Sequence, residues 1–133
     1  MTIEVDLPDI VAEVTAAFAE YEKALTSNDV ATLDTLFRKD SRTLRYGIGE
    51  NLYGYDSIAA FRAARNPAGL MRDLSKTVIT AYGRDTAVAS TLFHRTTSSG
   101  KVGRQMQTWV RFPEGWRIVA AHVSLIDTPK ESS

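Results

Sequence analysis

Two side chains stand where an apolar pattern gives way to a group that can do chemistry. Tyr21 follows Phe18 by three and precedes Leu25 by four, on a stripe begun by Ile10, Val14 and Ala17. Its ring therefore belongs inside, and its hydroxyl must find a partner. A backbone carbonyl would make it an ordinary core tyrosine; a ligand would make it part of a site. Arg45 stands mid-strand between Leu44 and Tyr46. Pointing outward, such an arginine is commonplace. Pointing inward, it keeps its proton and needs an anion, which would make its pocket a carboxylate site.

Two further pairs alternate along strand-like segments. Gln105 and Gln107 share a face of Gly103-Arg104-Gln105-Met106-Gln107-Thr108-Trp109, and paired amides suit a urea- or amide-like ligand. His122 and Ser124 share a face of the last strand and would meet a ligand together if that face were concave. For both pairs the plain alternative is a strand residue in solvent or at an interface. Other chemistries lack their residues. The chain has no cysteine, which removes thiol nucleophiles, thiolate metal sites and disulfides, and its histidines are His94 and His122. It has no Gly-x-Ser-x-Gly elbow, no phosphate-cradling glycine loop and no His-Glu-x-x-His, so no metal and no cofactor is expected.

The elements that must position these residues read as follows. Pro8 fits a first helical turn, and the Ile10-to-Leu25 stripe carries that helix to about Ser27. Asp29 caps a short second helix through Phe37 by accepting near Thr32, and Asp56 is expected to cap a third, ended by Asn66-Pro67. Between them lie a strand at Thr43–Tyr46 and a glycine-punctuated stretch, 47–54. Four extended runs follow, near Leu70–Tyr82, Thr86–Thr97, Lys101–Phe112 and Trp116–Ile126, divided by hairpin-length turns. Helices first and a long antiparallel meander afterwards give an α+β fold, a curved sheet packed around the long first helix to leave a conical cavity. One domain spans 1–127, and 128–133 is a polar tail. In strict alternation the last strand has no solvated face, so the second sheet face is expected to be covered by the same sheet of a second copy, in a homodimer.

With 133 residues, 44% hydrophobic, 24% charged and no net charge, the composition is that of one ordinary globular domain. Basic residues are scattered among acids, which argues against nucleic acid. The N-terminus lacks a secretory pattern and no apolar run is long enough to span a membrane, so a cytoplasmic location is expected.

Several strings resemble a known group. The helix, strand and meander order, with Gln-Thr-Trp-Val-Arg (107–111) and Gly-Trp-Arg-Ile-Val-Ala-Ala-His-Val-Ser (115–124), resembles the cone-shaped nuclear-transport-factor-2-like, SnoaL-like and cystatin-like proteins. Pro-Asp-Ile-Val-Ala-Glu-Val (8–14), Leu-Arg-Tyr-Gly-Ile-Gly-Glu-Asn-Leu-Tyr-Gly-Tyr (44–55) and Phe-Arg-Ala-Ala-Arg (61–65) are similar to the AtzH/HpxZ-like group. Members of that group are associated with ureide breakdown: oxalurate catabolism, or the decarboxylating hydrolysis of 1,3-dicarboxyurea to allophanate in cyanuric acid degradation. The resemblance implies an essential tyrosine and arginine at the positions of Tyr21 and Arg45. It further implies a small anionic ureide substrate and a functional link to an amidase, and leaves open a non-catalytic accessory role. An isomerase-like alternative lacks a buried acid, since Asp34 and Asp40 are expected beside turns and Asp56 at a cap.

Overall fold

The computed structural model describes residues 2–128; the expected polar tail lies, beyond Thr128, outside them. Helix α1, Pro8–Thr26, buries Ile10, Val14, Phe18, Tyr21, Ala24 and Leu25 on one side, at the three- and four-residue spacing read from the sequence. Its start has no side-chain cap. Asp6 instead ties the approach to the sheet, its backbone N–H donating to the Ala81 carbonyl and its carboxylate accepting from Ala81 N at 2.9 Å. Helix α2, Val30–Leu36, is capped by Asp29 accepting from Thr32 N at 3.2 Å, the partner expected. The two helices pack as a hairpin.

Helix α3, Tyr55–Ala64, departs from expectation at its beginning. Its N-cap is Gly54 at φ 90°, and Asp56 lies inside the first turn without capping. A positive φ admits glycine readily, and here it turns the chain sharply out of a short strand into the helix. That strand, β2 (Asn51–Tyr53), pairs antiparallel with β1 (Leu44–Tyr46) within the stretch read only as glycine-punctuated.

The four long strands are β3 (Asp73–Tyr82), β4 (Thr86–His94), β5 (Lys101–Phe112) and β6 (Gly115–Asp127), an antiparallel meander. Strand β1 joins β6 in parallel, giving the order β2-β1-β6-β5-β4-β3. One face of this sheet packs on the helices. Trp109, Phe37, Ile10, Leu33, Ile58 and Ile118 form the driest part of that core. Truncating a side chain such as Trp109 to alanine there costs about 3–5 kcal/mol.

Strand β6 does not alternate strictly. Thr108 pairs with Ala120 and Trp109 with Ile118, so Val119 is an extra residue, a β-bulge. The inward set is Trp116 and Ile118 before the bulge, then Ala121 and Val123 after it. The two mixed faces read from alternation are products of this phase change. The outer face after the bulge carries His122, Ser124 and Ile126, which is more polar than the pattern implied.

Candidate functional site

The inward row of β5 runs Gly103, Gln105, Gln107, Trp109. Two amides thus continue a face that is otherwise core, 2% and 1% exposed. Register carries the row across the sheet. Gln107 is flanked by Ala89 on β4 and Ala121 on β6, and Ala121 is opposite Arg45 on β1. Cross-strand partners share a face, so Arg45 points inward, two strand spacings or roughly 10 Å from Gln107. The small alanines between them leave room. Tyr21 comes in from α1, 5% exposed, its ring tilted against Phe37 at 6.4 Å. Among the described residues no group takes a hydrogen bond from its hydroxyl or gives it one, so the backbone-carbonyl alternative does not describe it.

Four guanidinium groups gather around this floor. Arg72 precedes β3 and Arg95 follows β4, at one end of the same hairpin, and both stack on the Phe93 ring, at 4.6 and 4.9 Å. Phe93 in turn lies over Gly103, where a β-carbon would come within 2.1 Å of it. Arg72 is held bidentately by Glu22 at 2.6 and 2.9 Å and donates to Gln105 Oε1 at 3.0 Å. Arg65, the residue closing α3, senses the charges of Tyr21, Arg45, Arg62 and Arg95, and Arg95 those of Arg72, Tyr21, Glu22 and Arg45. Burial pushes both guanidinium groups below the usual arginine range, an effect opposed by Tyr21 and, for Arg95, by Glu22.

Arg45 was expected to await an anion from outside. The structure corrects this: Arg45 Nη1 donates to Glu50 Oε1 at 2.8 Å, and Glu50 Oε2 accepts from Gly49 N. The carboxylate belongs to the glycine-flanked loop between β1 and β2. A β-carbon on Gly47 would sit 1.7 Å from Glu50 Oε1, so the pair exists because residue 47 has no side chain. With Glu22 on Arg72 and Glu50 on Arg45, the cluster keeps two positive charges, on Arg65 and Arg95, that make no ion pair among the described residues. Among the described residues the buried side-chain atoms without hydrogen-bond partners are Arg65 Nε and Nη2, Arg95 Nε, Gln105 Nε2 and Gln107 Nε2. All five are N–H donors.

Tyr21, Arg45, Gln105 and Gln107 are therefore brought together, whereas His122 and Ser124 are not. His122 pairs with Met106 and Ser124 with Arg104 on the outer face, where Arg104 Nε donates to Ser124 Oγ and His122 packs edge-on to Tyr46. The bulge at Val119 is the reason: it exchanges the two faces between Ile118 and Ala121. The acids weighed for an isomerase are committed elsewhere, Asp34 within α2 to the buried Arg62 at 2.6 Å and Asp40 to Arg42 at 2.8 Å. Sequence reading missed Arg72 and Arg95 and touched Arg65 only as the end of the string 61–65. A partial signal existed for the first two: pairing outward from the 83–85 turn sets residue 72 opposite 96, and the register shift between Ser75 and Val78 brings it beside Arg95.

A helix-filled curved sheet with a polar cluster inside one part of it defines a nuclear-transport-factor-2-like, cystatin-like protein. A putative dehydratase of that class from Streptomyces avermitilis shares the fold at TM-score 0.77 and 19% identity, with 91% of this chain and 99% of that chain covered. More narrowly, the chain belongs to the AtzH-like family, whose model matches residues 3–129. It is similar to a protein of unknown function from Pectobacterium atrosepticum (67% identity, TM-score 0.90, 92% of this chain and 95% of that chain covered). It is also similar to a cystatin-like fold protein from Burkholderia xenovorans (49%, TM-score 0.92, 96% and 99% covered). No curated protein matches it. Among the described residues no helix is long and apolar enough to cross a membrane.

Proposed function

We propose that this chain is a small, cofactor-independent decarboxylating amidohydrolase acting on a carboxylated urea, converting 1,3-dicarboxyurea to allophanate. The observation that carries the reading is the Tyr21 hydroxyl, carried on a buried ring, without a hydrogen-bond partner among the described residues and beside guanidinium groups that make no ion pair there. Family membership supports the ureide class.

In this reading the substrate carboxylate exchanges with Glu50 on Arg45, a bidentate site for a planar anion. The bond between the terminal nitrogen and its carboxyl carbon then breaks. Its electron pair passes to nitrogen, the carboxyl group leaves as carbon dioxide, and the charge spreads onto the urea oxygen. Gln105 and Gln107 Nε2 supply donors to that oxygen, whose charge is stabilised more in the transition state than in the ground state. Tyr21 donates a proton to the nitrogen and regains it from water. A phenol serves this role as a proton donor rather than as a base.

The test is turnover of freshly generated 1,3-dicarboxyurea by the wild type, Tyr21→Phe and Arg45→Ala, followed as allophanate formed. Wild-type turnover falling on the order of 10²-fold or more in Tyr21→Phe supports the assignment. An inactive wild type, or equal rates in all three, overturns it and favours a ligand-binding accessory of an amidase or an oxalurate-linked role.

A further inference from the structure

We propose that Arg65 and Arg95 form a second anion clamp, separate from Arg45, so that the ligand of this site carries a negative charge at each end. The inference rests on the proposed function only in assigning both clamps to one ligand. The donor census comes first: among the described residues five buried side-chain polar atoms lack partners, every one is an N–H, and none is an acceptor. Water brings donors along with its acceptors, so it fits such a wall poorly; carboxylate and carbonyl oxygens accept only. Charge gives the same answer independently. Glu22 and Glu50 are engaged by Arg72 and Arg45, which leaves Arg65 and Arg95 as two like charges close enough to repel. Buried charge without a counter-ion is costly, and a monoanion would relieve half of it.

The two groups are also placed, not adrift. Arg95 lies on the Phe93 ring at 4.9 Å, and that ring is seated by the absent side chain of Gly103. Arg65 is fixed at the end of α3, where its backbone N–H donates to the Arg62 carbonyl as the helix stops before Asn66-Pro67. Burial lowers both guanidinium pKa values, consistent with charge that the fold holds at a cost until an anion arrives.

The experiment is calorimetric titration of the full chain with three molecules of one shape and falling charge: malonate, malonamate and malonamide. Wild type is expected to prefer malonate over malonamate by tenfold or more. Arg65→Gln and Arg95→Gln are each expected to bring that ratio near one and to leave malonamide affinity unchanged. Melting without ligand separates a clamp from a structural strut, because removing an uncompensated buried charge leaves the melting temperature equal or higher. Wild type binding all three alike, either variant keeping the malonate preference, or variants that melt lower and lose malonamide binding as well would each overturn the clamp. An inactive wild type with an arginine-dependent malonate preference would sink the proposed reaction and leave the clamp standing. Turnover indifferent to Arg65 and Arg95 would do the reverse.

Discussion

At Arg45 the protein supplies its own carboxylate, and this decides how a ligand must bind. An incoming anion replaces Glu50 rather than adding to a bare guanidinium, so part of its binding free energy is offset by the pair it breaks. Glu50→Gln should therefore tighten malonate binding by up to about tenfold, about 1.4 kcal/mol. The same change should cost the unliganded protein about 1–2 kcal/mol, because Arg45 is mostly buried and loses its partner, although Glu50 is partly in water. Gly47→Ala should act likewise, since the new β-carbon would lie 1.7 Å from Glu50 Oε1 and 2.7 Å from Arg45 Nη1 and so parts the pair without changing either charge. Calorimetry and thermal melting on both variants check this; opposite signs in the two variants would contradict the exchange picture. Of the site residues, Tyr21 was legible as an inward side chain from its neighbours' pattern, whereas the pattern around Arg45 left its direction open and only the family resemblance singled it out as essential. The engagement of Arg45 by Glu50 was not legible, because no local rule tells how far a glycine loop folds back.

At the scale of elements, legibility followed the range of the interaction. The α1 stripe and the Asp29 cap depend on residues three or four apart, and both stand as read. The α3 start was misassigned to Asp56 because the turn is made by Gly54, which is tied to the segment before β1 by its N–H donating to the Thr43 carbonyl. The parallel pairing of β1 with β6 joins segments some seventy-five residues apart and leaves no local trace. The Val119 bulge is the most consequential of these omissions. Deleting Val119 would remove the extra residue and leave Trp116, Ile118, Ala121 and Val123 on one face in regular alternation. The expected outcome is a chain that keeps a cooperative melting transition, checked by calorimetry; loss of that transition would show that the bulge itself is required.

For the molecule as a whole, the polar cluster is bound into the fold through Glu22, which links α1 to the segment before β3. Arg72 is 1% exposed, so Glu22→Gln leaves a nearly buried guanidinium half-satisfied and should destabilise by about 2–4 kcal/mol, read from denaturant unfolding. The homodimer expected through the outer sheet face now has narrower support than strict alternation implied. What remains is Met106, 55% exposed, beside a shallow apolar groove lined by Leu44, Tyr46, Val88 and Ala120. Sedimentation should give a dimer that Met106→Glu converts to a monomer; a monomeric wild type would overturn that expectation.

The Phe93 ring bears two arginines that differ in how they are tethered. Arg72 is anchored by directional bonds on both sides, whereas Arg95 rests on a flat apolar surface that prescribes no orientation within its plane. Such a group can glide across the ring without sacrificing a bond. The pocket should accordingly count the charges of its guest more strictly than it measures the guest's length.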